Sequence, residues 1–189
     1  METEKNMNDY RPAKDSEFLP ADDLACNTIR LILHEKQDKR SDGTLAYLFD
    51  ITVNGIKVGG IHLRLGWSLS YYYAGQIGYW IDESHQKQGY ATNACLALLP
   101  LIKAHGYNKI VVGTDENNIA SHRVCEKVGM NLHETLDTPE WSILYEEGQR
   151  RTRIYVWDVK NTNNFSDNDV CGGLCLLCAD AGNFNRHGD

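Results

Sequence analysis

A short polar segment has the composition of a phosphate-binding site. Residues 81–91 read Ile-Asp-Glu-Ser-His-Gln-Lys-Gln-Gly-Tyr-Ala and connect a strand-like run to the start of a helical pattern. Unpaired backbone N–H groups and the positive end of a helix dipole meet at such a junction. Gly89 and Ala91 leave room for an anion because they carry no side chain or a small one. The segment therefore predicts a site for a pyrophosphate group.

A second group of polar residues marks the start of the next helix. Asn118 is a typical N-cap and Gly129 a typical C-cap, and the apolar positions between them recur on one helical face. Ser121 lies in the first turn, and Cys125 lies on the inward face. From residue types alone, Ser121 is either a functional hydroxyl or an ordinary first-turn residue, and Cys125 reads as a small buried hydrophobe.

Apolar runs of two kinds predict the strands that position these residues. Asn54-Gly55 separates two alternating runs and favours a type I′ turn, because both residues accept positive φ angles. A nearly continuous apolar run at residues 109–114 indicates a strand covered on both faces. The predicted strands are residues 28–34, 45–53, 56–65, 75–81, 109–114, 131–136 and 152–158.

Two helices complete the pattern. Residues 91–105 repeat apolar side chains at intervals of three and four and end before Gly106, and Pro100 predicts a kink or break within them. Residues 118–128 form the second helix, whereas the aromatic residues 67–73 are predicted as a loop. The order of strands, helix, strand, helix and strands predicts an α/β domain that combines antiparallel hairpins with a β-α-β crossover.

The two polar motifs together resemble those of the GNAT superfamily of acyl-CoA N-acyltransferases. Gln86-x-x-Gly89-x-Ala91 is similar to the Q/R-x-x-G-x-G/A signature of that family and follows a strand that reads Gly-x-Ile-Gly-Tyr-x-Ile. The residues from Asn118 through Ser121 to Gly129 resemble the family's second motif. The likeness covers residues 45–136 and is strongest to the RimJ/RimL-type branch. It implies a mixed, mostly antiparallel sheet with splayed central strands and flanking helices.

The resemblance also implies a chemistry. Acetyl-CoA would bind as co-substrate, and a primary amine would attack its thioester directly in a ternary complex. An N–H of Trp80 or Ile81 would hold the oxyanion, Asn118 would bind the pantetheine arm, and Ser121 would donate a hydrogen bond or proton to the departing thiolate. The implied cofactor-binding residues are Tyr79, Trp80, Ile81, Gln86, Lys87, Gln88, Gly89, Tyr90, Ala91, Thr92, Asn118 and Ser121.

The sequence departs from the family at one catalytic position. Many members carry a tyrosine where Cys125 stands, so Ser121 is the first candidate for the proton donor and Cys125 the second. The general base stays open between Glu83, Glu140 and a water chain. Glu140 is preferred because its loop often borders the acceptor pocket in the branch that the sequence resembles. The missing tyrosine also leaves an alternative function open: a catalytically silent acyl-CoA-binding or regulatory module of the same fold.

Charge and hydropathy restrict the partners. The formal net charge of −7 argues against nucleic acid as a ligand and favours cationic molecules. Asp137, Glu140, Glu146 and Glu147 stand before the last strand, so a small cationic amine or a protein N-terminus is the expected acceptor. No apolar run approaches the roughly 20 residues that span a bilayer, and the polar start lacks the apolar core of a signal peptide. A cytoplasmic enzyme without membrane partners is expected, and a homodimer is compatible with the sequence.

The expected organisation is one domain with extensions at both ends. Residues 1–22 are expected to be a flexible lead-in, residues 23–160 the acetyltransferase-like domain, and residues 161–189 a disordered tail. In the tail, Cys171, Cys175 and Cys178 have the spacing of a radical-SAM cluster motif, and His187 offers a fourth ligand for zinc. Only eleven residues follow Cys178, whereas the cluster motif normally opens a large barrel. No metal is therefore expected.

Overall fold

The computed structural model describes residues 7–38 and 44–162, which form a mixed α/β domain. Its strands are β1 Leu24–Cys26, β2 Ile29–Gln37, β3 Ala46–Val53, β4 Ile56–Arg64, β5 Ile77–Ile81, β6 Lys109–Asp115, β7 Asn131–Asp137 and β8 Arg151–Asp158. Its helices are α1 Leu69–Ala74, α2 Tyr90–Ala97, α3 Leu99–Ala104, α4 Ile119–Val128 and α5 Ile143–Glu146, with 3-10 turns at Met7–Tyr10 and Glu83–His85. No helix in the described part of the chain is long and apolar enough to cross a bilayer.

The strands form two antiparallel sheets that diverge at the centre of the molecule. The order is β1-β2-β3-β4-β5 in one sheet and β6-β8-β7 in the other. The two sheets meet where the Gln76 N–H donates to the Val111 carbonyl at 2.8 Å and the Val111 N–H donates to Oε1 of Gln76 at 3.0 Å. Beyond this junction β5 and β6 belong to different sheets, so the expected fold with splayed central strands is confirmed.

Local turn and cap signals predicted several elements correctly. Asn54 and Gly55 connect β3 to β4 with φ angles of 50° and 79°, as a type I′ turn requires. The Asn118 side chain caps α4, and Gly129 ends it with a left-handed φ of 88°. Both the hairpin and α4 are therefore confirmed.

The break predicted at Pro100 is also present. Helix α2 ends at Ala97 and α3 begins at Leu99, with Pro100 in its first turn. Proline has no N–H to donate to the carbonyl one turn earlier, so the helix divides there. The predicted inward face is nevertheless continuous, because Cys95 and Ile102 on either side of the break and Leu98 within it are fully buried.

The prediction of a loop at residues 67–73 is wrong. Helix α1 starts after Ser68, whose Oγ accepts a hydrogen bond from the Tyr71 N–H at 3.2 Å. Six residues are too few to show a helical repeat of apolar positions, so the cap was the only local signal. The short strand β1 and the four-residue helix α5 were missed for the same reason of length.

The segment before β1 packs on the domain where the structure describes it. Tyr10 is only 7% exposed and stacks on Trp67 with ring centroids 4.9 Å apart. Nδ1 of His105, at the end of α3, lies 2.6 Å from the Lys14 carbonyl, and the Lys14 N–H donates to the His105 carbonyl. These contacts attach Tyr10 and Lys14, within the expected lead-in, to the domain. They come from single residues in irregular backbone, which leaves no periodic signal in the sequence.

Candidate active site

The start of α2 forms a concave group of backbone donors. Gly89 is the N-cap of α2 with a left-handed φ of 79°, and Lys87 has a φ of 62°. Within the described residues, the backbone N–H groups of residues 87–92 have no backbone acceptor. Nε2 of Gln86 donates to the Ile81 carbonyl at 3.1 Å and ties this loop to the end of β5. Such a turn before a helix suits a phosphate group.

The edge of β5 that faces the gap between the sheets carries further backbone groups. The Asp82 N–H donates to the Val58 carbonyl at 2.9 Å, and Trp80 is the register partner of Gly60. The N–H and C=O groups of successive residues in a strand point to opposite sides. Those of Trp80 therefore pair with β4, and those of Tyr79 and Ile81 point to the open edge of β5. The Trp80 indole is 52% exposed and covers Gly60, where an added Cβ would lie 2.7 Å from Nε1.

The first turn of α4 stands across the gap from β5. Oδ1 of Asn118 accepts the Ser121 N–H at 3.0 Å, which leaves the Asn118 Nδ2 group to donate elsewhere. Ser121 is partly exposed. The predicted cap is confirmed, and the cap in turn fixes the backbone of Ser121.

His122 attaches this turn to the second sheet. Its ring is 3% exposed, with Nε2 2.9 Å from the Asp115 carbonyl and Nδ1 3.3 Å from Nη1 of Arg153. The carbonyl only accepts and the guanidinium only donates, so the two contacts fit the tautomer with its hydrogen on Nε2. The histidine therefore links the start of α4 to both β6 and β8. No local pattern predicts this contact, because it depends on how α4 packs against β6 and β8.

Two buried cysteines and a tyrosine lie beneath Ser121. Cys125 on α4 and Cys95 on α2 are fully buried, and burial raises the pKa of Cys125 to about 12. The Cys125 thiol is fully buried, whereas Ser121 is partly exposed at the gap, so accessibility favours Ser121 over Cys125. The Tyr79 side chain reaches the same place from β5, and burial followed by the nearby Cys95 raises its pKa, while Ser121 lowers it.

An aromatic group covers the opposite face of the gap. The Tyr73 carbonyl lies against Gly113, where an added Cβ would be 1.7 Å from that oxygen, and the Tyr73 ring meets Trp141 at 6.1 Å in an edge-on geometry. The Tyr72 hydroxyl donates to Glu134 on β7. Burial, the hydrogen bond to Glu134 and its charge raise the pKa of Tyr72. Glu134 was not among the predicted site residues, because β7 shows no pattern that distinguishes it.

The predicted base candidates lie at different ends of the site. Glu83 is exposed in the 3-10 turn that leads to the α2 loop, so it is near the expected phosphate end. Glu140 is exposed beside Trp141, which places it near the aromatic group. The acidic residues before β8 are all exposed: Asp137, Glu140, Glu146 and Glu147. Oδ1 of Asp137 lies 3.7 Å from Nε of Arg151. Glu140 thus neighbours the aromatic side chains, whereas Glu83 precedes the α2 loop.

The described residues offer no group of three side chains suited to hold a metal ion. The candidate ligands Cys171, Cys175, Cys178 and His187 lie outside the described residues, so the structure does not bear on them.

Comparison with known proteins identifies related sequences and structures. A family model described as an acetyltransferase (GNAT) domain matches residues 10–131. No curated protein matches the chain significantly.

Similar solved structures include three acetyltransferases. One, from Salmonella typhimurium, modifies the N-terminal serine of ribosomal protein L7/L12, with 22% identity, a TM-score of 0.47, and coverage of 60% of this chain and 63% of that chain. The ribosomal-protein-S5-alanine acetyltransferase of Vibrio fischeri has 15% identity, a TM-score of 0.49, and coverage of 61% and 63%. The microcin C7 self-immunity acetyltransferase MccE, solved with acetyl-CoA and AMP, has 21% identity, a TM-score of 0.48, and coverage of 60% and 61%. The chain spans less than two thirds of the length of each.

Proposed function

Because this chain belongs to the acetyltransferase (GNAT) domain family, we propose that it transfers the acetyl group of acetyl-CoA to a primary amine. The observation that carries the proposal is the convergence of three features on one gap. These are the unpaired amides before α2, the open edge of β5, and the capped first turn of α4 with Ser121. Acetyl-CoA would use one feature for each of its parts. The amides would bind the pyrophosphate, the edge of β5 would bind the pantetheine arm, and the first turn of α4 would contact the thioester.

The pyrophosphate of acetyl-CoA would lie on the amides of residues 87–92. The left-handed angles at Lys87 and Gly89 turn successive N–H groups towards one point, and the positive end of the α2 dipole adds to the attraction. The exposed Lys87 side chain supplies a full positive charge. The pantetheine arm would follow β5 and receive a hydrogen bond from Nδ2 of Asn118.

The chemistry would take place between β5 and Ser121. The amine nitrogen attacks the thioester carbon and the carbonyl oxygen becomes an oxyanion, which the Ile81 N–H is better placed to hold than that of Trp80, since the latter faces β4. The carbon–sulfur bond then breaks, and the sulfur leaves with the electron pair. A hydrogen bond or proton from Ser121 stabilises the thiolate, and the proton lost by nitrogen passes to Glu140 or water.

The acceptor would approach from the face of Tyr73 and Trp141. Exposed acidic residues border this side, and their charge attracts an ammonium group on a small cation or a protein N-terminus. Arg150 and Arg151 lie in the same segment, so the attraction is moderate.

Raising the salt concentration from about 0.1 M to 1 M shortens the Debye length from about 10 Å to about 3 Å. The apparent affinity for polyamines or basic peptides should then fall, and indifference to both salt and Glu140→Gln would contradict a charged acceptor side.

The proposal is tested by incubating the full chain with acetyl-CoA and a range of amines, with release of the CoA thiol as the readout. Turnover with at least one amine is expected. Binding of CoA without turnover, under conditions where a control acetyltransferase is active, would instead support a silent acyl-CoA-binding module.

A further inference from the structure

The hydroxyl of Tyr79 is a buried polar group in the middle of the proposed reaction site. Tyr79 lies on β5, and its ring packs on the core between the sheet and the helices. Its oxygen is shielded from solvent and has no hydrogen-bond partner of normal geometry among the described residues. Leaving a buried donor unpaired is unfavourable, so such groups need an explanation.

Three polar side chains surround this hydroxyl, and they differ as acceptors. The thiols of Cys95 and Cys125 and the hydroxyl of Ser121 all lie close enough to influence its ionisation. Sulfur in a thiol is a weak acceptor, whereas the serine oxygen offers two lone pairs. Both thiols are also fully buried in the core, while Ser121 is partly exposed at the gap. The serine is therefore the neighbour best suited to accept a hydrogen bond from the tyrosine.

We propose, on the basis of the acetyltransferase function proposed above, that Tyr79 is a positioning residue for Ser121. Its hydroxyl donates a hydrogen bond to Oγ of Ser121 in the acetyl-CoA complex. That bond occupies one lone pair of the serine oxygen and leaves the serine's own hydrogen to point at the thioester sulfur. Consecutive hydroxyl groups polarise one another, so the bond from Ser121 to the departing sulfur becomes stronger. Tyr79 forms no covalent bond and loses no proton.

Two properties of the site suit a donor that stays neutral. Burial raises the pKa of Tyr79, so the phenol keeps its proton across the neutral and mildly alkaline range. The Asn118 cap fixes the Ser121 backbone but leaves its hydroxyl free to rotate, so a second contact is needed to orient it. Tyr79 on β5 thus supplies a phenol to the site, whereas α4 carries Cys125 at the position where many family members have a tyrosine.

The test compares Tyr79→Phe, Ser121→Ala and the double variant by kcat, KM for acetyl-CoA and melting temperature. Tyr79→Phe should lower kcat about three- to thirtyfold with KM little changed, since the lost bond acts on the leaving group. The double variant should be no slower than Ser121→Ala, because Tyr79 acts only through the serine. The melting temperature of Tyr79→Phe should not fall, since the hydroxyl has no partner in the unliganded fold.

Tyr107→Phe is the matched control. It also removes a buried phenolic hydroxyl, one that donates to the Arg64 carbonyl at 3.1 Å, and it lies before β6, away from α4. It should lower stability and leave kcat unchanged. The ratio of wild-type to Tyr79→Phe activity should stay constant from about pH 6 to about pH 9, because the phenol does not ionise there.

Several outcomes would overturn the inference. Full kcat in Tyr79→Phe, multiplicative losses in the double variant, or a loss that follows the melting temperature would each show that Tyr79 only packs. Cys125→Ala abolishing the effect of Tyr79→Phe would assign the contact to the thiol instead. Absence of turnover in the unmutated protein would overturn the proposed function together with this inference, whereas an active wild type with a fully active Tyr79→Phe would overturn the inference alone.

Discussion

At the scale of single residues, the account depends on the hydroxyl of Ser121. Ser121→Ala should lower kcat about tenfold to a thousandfold with little change in CoA affinity, because the serine serves the departing thiolate rather than the bound substrate. Cys125→Ala is the control on the same helix, and its cost should appear as lower stability, since the thiol is fully buried. Steady-state kinetics and thermal melts separate the two effects. A larger loss of kcat in Cys125→Ala would reverse the two roles.

The proposed phosphate site depends most on Gly89. Gly89→Val should weaken CoA binding at least about tenfold, because the new side chain enters the anion site and strains a backbone with a φ of 79°. Gly55→Val is the matched control: its φ is also 79°, and an added Cβ at either position meets nothing within 4 Å. Calorimetric titration with CoA should show loss of affinity only in the Gly89 variant. Retained affinity there would exclude this loop as the phosphate site.

At the scale of elements, the first turn of α4 must be held against the sheet. His122→Ala removes the bonds to Asp115 and Arg153, so we expect a loss of about 1 to 3 kcal/mol in stability and a higher KM for acetyl-CoA. The exposed neighbour Arg123→Ala should change neither. Urea unfolding and initial rates measure the two quantities. Normal KM in a destabilised His122→Ala would show that the contact serves the fold alone.

Elements with local signals could be predicted from the sequence, and contacts between elements could not. The Asn54-Gly55 turn and the Asn118 and Gly129 caps act within a few residues, so the hairpin and α4 were predicted with their limits close to those observed. Helix α1 has only a cap and no repeat, and it was missed. The meeting of Tyr79 with Ser121 depends on how two distant elements pack, which no spacing in the chain encodes.

At the scale of the whole molecule, His105 attaches the N-terminal segment to the domain. Its Nδ1–H donates to the Lys14 carbonyl, and Nε2 lies 2.9 Å from the Tyr47 hydroxyl, which also accepts the Leu19 N–H. Burial lowers the pKa of His105 below its usual 6.5. The unfolded chain therefore binds the proton more readily, and the stability that depends on neutral His105 is present above about pH 6.5 and is lost as the pH falls.

Urea midpoints between about pH 5 and about pH 8 test this linkage. The wild type should lose stability towards pH 5, and His105→Gln, which keeps one donor and one acceptor but cannot titrate, should lose less. Equal pH slopes in the two proteins would contradict the assignment. Removing residues 1–22 should also lower the midpoint at neutral pH, because Tyr10 and Ala21 are buried in the fold.

The most direct test of the central claim is transfer of isotope-labelled acetyl from acetyl-CoA to an amine, with the labelled product and the free CoA thiol measured together. We expect equal amounts of both with the wild type. Ser121→Ala should give both products at a rate about tenfold to a thousandfold lower, with unchanged affinity for CoA. CoA release without a labelled amine, or an equal rate in wild type and Ser121→Ala, would contradict the account.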